Sequence, residues 1–356
     1  MLRAIFGLAL AGALGAASDG PPMPRPAPPP RTGGRAAANA GCVGCHEPVA
    51  REWADSLHRV SASDEPYVKA FEREPLRFCS KCHVPEAMPG KPASAWAEEV
   101  GVGCVTCHVT QAGAVLAAPG EGKAGPHAVT RSEAFAGPGA CAACHTFGFP
   151  DAALRDRPTA MQATNEEHAG SWASAYACAD CHMPWVEDAN GGHRSHTFAA
   201  SRDPAMLARA VGVAARRVSA TEVEVTLTPG AAGHAFPTGD LFRRLELRVS
   251  LEGAVGRSET LTARLGRTFA SRPQSTGVTV RDEIEDTRVK DTPVILRFDM
   301  TEATDHRAGI CEDVSRLPVA WELRYQRVAF PDPRRRTGAA LDGEVIVAFG
   351  VLPGEE

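Results

Sequence analysis

The sequence predicts a multidomain protein, in which a domain of short helices and loops is followed by an antiparallel β-sandwich domain. Three observations support this fold class. Five copies of one C-x-x-C-H motif lie between Cys42 and His182, the composition changes near Asp203, and apolar residues then alternate with a period of two. At 356 residues the chain is long enough for two domains of ordinary size.

The first domain is predicted from its cysteines. Ten of the 11 cysteines fall in the repeated motif. Its copies are Cys42-Val-Gly-Cys45-His46, Cys79-Ser-Lys-Cys82-His83, Cys104-Val-Thr-Cys107-His108, Cys141-Ala-Ala-Cys144-His145 and Cys178-Ala-Asp-Cys181-His182. C-x-x-C-H is the attachment pattern of c-type heme, in which two thiols form thioethers to one porphyrin and the histidine ligates its iron. The motifs therefore predict five heme c groups, with the five motif histidines as proximal ligands.

Two other uses of paired cysteines are weighed against heme. A zinc ribbon also contains C-x-x-C elements, and an exported protein can join its cysteines in disulfides. Neither use explains why histidine follows every second cysteine, and zinc does not explain an odd number of pairs. Heme explains both features.

Motif spacing predicts close packing of the hemes. The motifs start 37, 25, 37 and 37 residues apart. So short a chain per heme cannot enclose five porphyrins in separate protein pockets, because small units of chain bury little surface. The porphyrins are therefore expected to form the core themselves, stacked closely enough for electrons to pass between them.

Seven histidines outside the motifs supply candidates for the distal iron ligand. The candidates are His58, His127, His168, His196 and His234, with His193 as an alternate to His196. Seven histidines are available for at most five distal positions, so iron with two histidine ligands at every heme is possible. Each of these histidines has a structural alternative, such as a surface position, and the H-x-x-H pair of His193 and His196 could instead bind copper or zinc. Weaker ligand candidates are Met88 and Met161, and His306 is expected to be solvated.

The N-terminus predicts export. A short positive region precedes the apolar run Ala4 to Ala17, so residues 1–17 are interpreted as a signal peptide and residues 18–37 as a Pro-rich linker. The alternative is an uncleaved membrane anchor. We expect a periplasmic or otherwise exported protein whose mature form does not span the membrane. The net charge is −5 and no basic patch occurs, so no nucleic-acid partner is expected.

The predicted boundaries are 38–205 for the pentaheme domain and 206–356 for the β-sandwich. Asp203-Pro204 reads as the N-cap and first residue of a helix. Alternating segments follow at 221–227, 244–250 and 259–265, with further candidate strands at 294–298, 320–330 and 344–349. The loop Gly233 to Asp240 carries His234, which is expected either to ligate a heme or to form a structural turn. Cys311 is expected to be a buried free thiol.

Residues 38–200 resemble the multiheme cytochrome c group that includes the tetraheme electron carriers of ammonia-oxidising bacteria. The resemblance rests on Cys45-His46 followed by Trp53, Ser56 and His58, and on the segments Cys181-His182-Met183-Pro184 and His193-Arg194-Ser195-His196. The loop Gly233 to Gly239 looks like one in exported multiheme proteins with an appended β domain. The resemblance implies a periplasmic protein with stacked heme pairs and mostly bis-histidine iron, one heme being five-coordinate in some members.

These observations predict periplasmic electron transfer through five covalently bound hemes. No catalytic residue is assigned. The expected partners are redox proteins, either other cytochromes or a quinol-oxidising membrane complex. The alternative is a multiheme oxidoreductase that acts on a small nitrogen or sulfur compound at one five-coordinate heme. All five motifs end in histidine, so the lysine-ligated motif of ammonia-forming nitrite reductases is absent.

Overall fold

The computed structural model describes residues 34–88, 91–120, 125–149, 159–188, 191–240, 243–254, 258–273, 279–304, 313–328 and 341–355. The predicted signal peptide, most of the predicted linker, His306 and Cys311 lie outside the described residues. None of the described helices has both the length and the apolar character that crossing a membrane requires.

The N-terminal part of the described chain consists of short helices joined by turns. Their bounds are α1 Gly34–Cys45, α2 Glu47–Ala54, α3 Glu65–Arg73, α4 Arg77–His83, α5 Ala95–Val100, α6 Cys104–His108, α7 Glu133–Ala136, α8 Gly139–His145, α9 Thr164–Ala169 and α10 Cys178–His182. Helix α1 begins inside the predicted linker, because Arg35 is buried and pairs with Glu86. Helix α2 ends at Ala54, so His58 follows the helix and does not lie in it.

Short strand pairs connect some of these helices. They are β1 Leu116–Ala117 with β2 Thr130–Arg131, β3 Thr146–Gly148 with β4 Ala160–Ala163, and β5 Trp185–Val186 with β6 His193–Arg194. The first pair is parallel and the other two are antiparallel. The β5–β6 pair lies directly after the fifth motif and leads to His196.

The C-terminal part is built of longer antiparallel strands. Helix α11 Pro204–Ala210 leads into β7 Val211–Arg217, β8 Glu222–Pro229, β9 Arg243–Leu251, β10 Leu261–Pro273, β11 Thr279–Asp286, β12 Val294–Asp299, β13 Val319–Val328 and β14 Leu341–Leu352. One sheet has the order β11-β10-β9-β13-β14 and the other has the order β12-β8-β7. The Asp203 side chain caps α11 by accepting from the backbone N–H groups of Ala205 and Met206, as the sequence predicts.

The main hydrophobic core is formed by residues of both sheets. Alternate residues of β8 and β9 face it, so Val223, Val225, Leu245 and Leu247 are fully buried. The core also takes in Leu207 of α11, two residues beyond the predicted domain boundary. The antiparallel sheets are confirmed, whereas a separate sandwich domain and its boundary at 205 stay predictions.

Arginine side chains of the β region form hydrogen bonds and an ion pair with the helical region. Arg267 of β10 donates to the carbonyl oxygens of Ala160 and Met161 at 2.5 and 2.9 Å. Arg281 of β11 pairs with Glu74, just after α3, at 2.7 Å. Because guanidinium groups satisfy several acceptors in a fixed geometry, these contacts orient the β region relative to the motifs.

Candidate heme-binding site

Each C-x-x-C-H motif spans about one helical turn, with His46 of the first motif directly after α1, which puts its three functional side chains on one face. Residues three and four positions apart are neighbours on a helix surface, so the first cysteine lies beside both the second cysteine and the histidine. In α6 these residues are Cys104, Cys107 and His108. None of the ten motif cysteines is joined to another in a disulfide. Each turn therefore presents two thiols and one imidazole to the same space, as covalent heme attachment requires.

Four of the five motif histidines face a second histidine that is distant in sequence. The pairs, with the distances between ring centres, are His46–His127 at 6.2 Å, His58–His145 at 6.3 Å, His108–His196 at 6.2 Å and His182–His234 at 6.3 Å. Each pair joins one predicted proximal ligand to one predicted distal ligand. Four of the five distal candidates are thus brought to the position where a sixth ligand would be needed.

The near-constant separation fits an iron between the two rings. A metal bound at about 2 Å to one nitrogen of each imidazole separates the ring centres by about 6 Å. Direct stacking of two rings would bring them closer, as Tyr67 and His83 show at 4.0 Å. The four pairs are therefore spaced for an ion that both histidines ligate.

Hydrogen bonds leave the correct nitrogen free for iron. In five of the paired histidines and in His83, Nδ1 lies against a backbone carbonyl oxygen, which can only accept, so Nδ1 carries the proton and Nε2 is left free to bind a metal. The bonds are His83 to Ser61, His108 to Leu116, His182 to Ala199, His127 to Ala128, His196 to Arg194 and His234 to Ala235. Such bonds also fix ring orientation and make the ligand more basic.

His58 is held in a form that can ligate. Burial, together with the nearby His145 and His196, lowers the pKa of His58 to about 3, so the imidazole is neutral at physiological pH. Gly101, at a φ of +55°, lies against the backbone oxygen of His58, where a Cβ atom would come within 2.6 Å. Only glycine fits there, because the position requires both a left-handed conformation and close approach.

Phe198 is a residue of the site that the sequence did not indicate. The centre of its ring lies 4.3 Å from that of His58 and 5.5 Å from that of His196, and both contacts are edge to face. Its φ of +50° is uncommon for a bulky residue. Phe198 therefore lies between His196 and His58, the histidines opposite the third and fourth motif histidines, and packs against both.

The His234 loop reaches the fifth motif from the β region. Ser171 donates to the carbonyl oxygen of Gly233 at 2.9 Å, and Thr238 donates to Glu167 at 2.6 Å. Buried Arg288 binds Glu167 at 2.8 Å and the Pro237 carbonyl oxygen at 3.3 Å. Hydrogen bonds therefore hold the loop both before and after His234. They place the His234 imidazole opposite His182.

Contacts between thiols show which motifs are neighbours. The sulfur atoms of Cys82 and Cys144 lie within hydrogen-bonding distance of each other, as do those of Cys141 and Cys178. The fourth motif therefore lies beside both the second and the fifth. Cys107 is close enough to influence the pKa values of Cys141 and Cys144, and Cys42 likewise influences Cys104. The motifs follow the order first, third, fourth, with the second and fifth as two branches from the fourth.

His83 differs from the other motif histidines. Within the residues that the structure describes, no second histidine ring lies opposite it, and the ring that stacks on it belongs to Tyr67, at 4.0 Å and an interplanar angle of 7°. Ser61 holds His83 from the side, since its carbonyl oxygen accepts from Nδ1 and its hydroxyl donates to the His83 carbonyl oxygen at 2.8 Å. The histidine of the second motif is thus held by two hydrogen bonds with Ser61, and no other histidine in the described part of the chain faces it.

His168 is also set apart from the motif histidines. It is buried in α9 beside Gly233. Among the described residues it makes no ring contact with a motif histidine, and its predicted role as a ligand stays a prediction.

Both ring nitrogens of His193 face carboxylates. Asp188 is 2.9 Å from Nδ1 and Glu52 is 3.2 Å from Nε2. Burial lowers the pKa of His193, but these hydrogen bonds outweigh burial and the pKa is raised. The two carboxylates thus favour the protonated form of His193, and His196 is the member of the H-x-x-H pair that faces a motif histidine.

The packing of the helical part agrees with hemes as its core. The main core cluster contains only residues between Leu207 and Val347. In the described N-terminal part, buried apolar side chains such as Trp53, Val100 and Leu116 are few and scattered. Met161 packs on the small Phe149–Phe269 cluster, and Met88 is exposed. Among the described residues, no group of three or more His, Cys, Asp or Glu side chains is arranged to hold a metal ion alone. The residues present therefore fit porphyrins, each of which would supply a one-electron iron centre.

Comparisons with known proteins agree with this geometry. Residues 41–109 match the family model described as cytochrome c554 and c-prime. The fold is similar to that of a penta-heme cytochrome c552 from Thermochromatium tepidum, with a TM-score of 0.60 and 20% identity over 88% of this chain and 97% of that chain. No curated protein sequence matches the chain. The motif match and the shared fold together support a multiheme c-type cytochrome that works in heme-based electron transfer.

Proposed function

We propose that this protein is an exported, periplasmic pentaheme cytochrome that transfers electrons between redox partner proteins. The observation that carries the proposal is the set of four motif-histidine pairs spaced at 6.2–6.3 Å. Iron with two histidine ligands has no exchangeable position, so such a heme exchanges electrons and not substrate. The solved structure of similar fold is a penta-heme cytochrome, and five hemes equal the number of attachment motifs in this chain.

The contacts between motifs support a branched electron path. The first and third hemes would form one arm, the fourth heme would be the junction, and the second and fifth would be the two ends. In this proposal residues 206–356 form a β-sandwich domain that supplies His234 to the fifth heme. The expected partners are other cytochromes or a quinol-oxidising membrane complex.

A redox titration tests electron transfer. Stepwise reduction of the purified protein, followed by its visible spectrum, should consume five electrons per chain. Most of them should enter at lower potentials than Met/His hemes show, because methionine ligation raises the potential. Fewer than five electrons in protein with full heme content would contradict the proposal, as would reduction confined to the range of Met/His hemes.

A second candidate function is supported by His83. Since no histidine faces it within the described residues, the second heme could keep one position open for a small nitrogen or sulfur compound. Carbon monoxide should then bind one heme per reduced chain. A Cys79→Ala/Cys82→Ala variant should lose that binding and should also lose reduction of hydroxylamine by reduced viologen. A Cys42→Ala/Cys45→Ala variant should keep carbon monoxide binding, and binding that persists without the second heme would place the open position elsewhere.

A further inference from the structure

One carboxylate oxygen of Glu52 forms hydrogen bonds with the segment that carries His196. Glu52 Oε2 accepts from the backbone N–H of His196 at 2.7 Å. The same oxygen lies 3.2 Å from Nε2 of His193. Glu52 belongs to α2, which starts directly after His46 of the first motif. A helix that follows the first attachment motif therefore holds the loop that reaches the third.

His193 completes this contact from the other side. Its Nδ1 lies 2.9 Å from Asp188, and Asp188 also accepts from the backbone N–H of Gly192 at 3.1 Å. The side chains of Glu52, His193 and Asp188 are only 21%, 16% and 25% exposed. Charge-assisted hydrogen bonds in such partly dry surroundings are stronger and more rigid than on an open surface.

Arg194, one of the two residues between His193 and His196, connects the segment to a second helix. Arg194 pairs with Asp180 of α10 at 2.6 Å and donates to the Ala179 carbonyl oxygen at 3.3 Å. The segment is thus fixed to α2 on one side and to α10 on the other, while His196 faces His108. The orientation of His196 depends on groups that touch no heme iron.

We infer that Glu52 and His193 are positioning residues that hold His196 at the iron of the third heme. This inference rests on the proposed function, because it requires His196 to be a distal ligand. Glu52 anchors the backbone of His196 directly, and His193 links that anchor to Asp188 at the start of the segment. Without Glu52, the His196 N–H loses its acceptor and His193 keeps only its contact with Asp188, so the distal imidazole is no longer held over the iron.

The test compares Glu52→Ala with Glu52→Gln in the full-length protein with its hemes. Glutamine keeps an oxygen for the His196 N–H, whereas alanine removes it. Glu52→Ala should convert up to one heme per chain from low to high spin in the ferric EPR spectrum and should add one carbon monoxide site in the reduced protein. Glu52→Gln should retain most of the low-spin signal, and Glu47→Ala, an exposed position on the same helix, should change nothing.

Two further variants separate the possible failures. His196→Ala should lose one low-spin heme outright, and if it does not, the ligand assignment itself is wrong. If His196→Ala shows the loss but Glu52→Ala keeps the unaltered spectrum with five hemes bound, the positioning role is overturned. Should Glu52→Ala fail to fold, His193→Ala leaves the bond from Glu52 to His196 and should give a smaller high-spin fraction with a shifted potential of the third heme. An unchanged spectrum and potential in His193→Ala would then refute the inference.

Discussion

Replacing Cys104 and Cys107 by alanine should leave four hemes per chain instead of five. In the proposed function the two thiols of α6 attach the third heme, and His108 in the same turn is its proximal ligand. Because the described helical part holds few buried apolar side chains, the missing porphyrin would leave a large cavity. We expect a loss of about 3–5 kcal/mol in the free energy of unfolding, and hence a fall in Tm on the order of 10 °C.

Heme content per chain, measured by intact mass and by the pyridine hemochrome spectrum, checks this expectation. The matched control is Cys311→Ala, which removes the odd cysteine and should keep all five hemes. The third heme also stands between the first and fourth in the proposed path, so electron exchange between those hemes should slow. An unchanged heme count in a stable Cys104→Ala/Cys107→Ala protein would remove the attachment assignment.

The second large effect is expected for His234→Ala. His234 faces His182 at 6.3 Å, so its loss should turn the fifth heme from low to high spin and open it to carbon monoxide. Axial ligands move heme potentials over roughly 0.8 V, and the loss of one histidine should shift this heme by an amount on the order of 0.1 V. The contact between the β region and the hemes should also loosen, because the ligand comes from the loop between β8 and β9.

EPR and a redox titration of His234→Ala measure these changes, and His168→Ala is the matched comparison. His168 is buried close to the same loop but makes no ring contact with a motif histidine among the described residues. In His168→Ala the fifth heme should therefore remain low spin. The reverse result, with loss of a low-spin heme in His168→Ala and none in His234→Ala, would exchange the two assignments.

The attachment half of each heme site could be predicted from the sequence because it is local. Two cysteines and a histidine within one helical turn need no tertiary information to lie side by side. The distal half could not be predicted in the same way, since the partners of the four pairs are 52 to 88 residues apart. His127, in a Gly/Pro loop, and His58, after α2, are brought to their partners only by the packing of the whole helical region.

The strands show a similar division. The alternating segments in β8, β9 and β13 could be predicted because one face of each is buried in the core. Strand β7 turns Val211, Val213 and Ala215 to the core, but Gly212 and Ala214 between them are not polar, so its alternation is weak; half of the residues of β11 are acidic, and it shows no apolar alternation. Strand β11 is held mainly by pairing with β10, which a single segment of sequence does not reveal.

The ferric EPR spectrum of the purified protein tests the central claim, four bis-histidine hemes and one without a paired histidine, most directly. The ring planes are close to perpendicular in His46–His127 and His58–His145, at 66° and 71°, and closer to parallel in His108–His196 and His182–His234, at 28° and 9°. Because this angle sets the anisotropy of low-spin iron, we predict two strongly anisotropic and two rhombic low-spin signals, with one high-spin heme. Five low-spin hemes would contradict the unpaired second heme, and two or more high-spin hemes would contradict the histidine pairing.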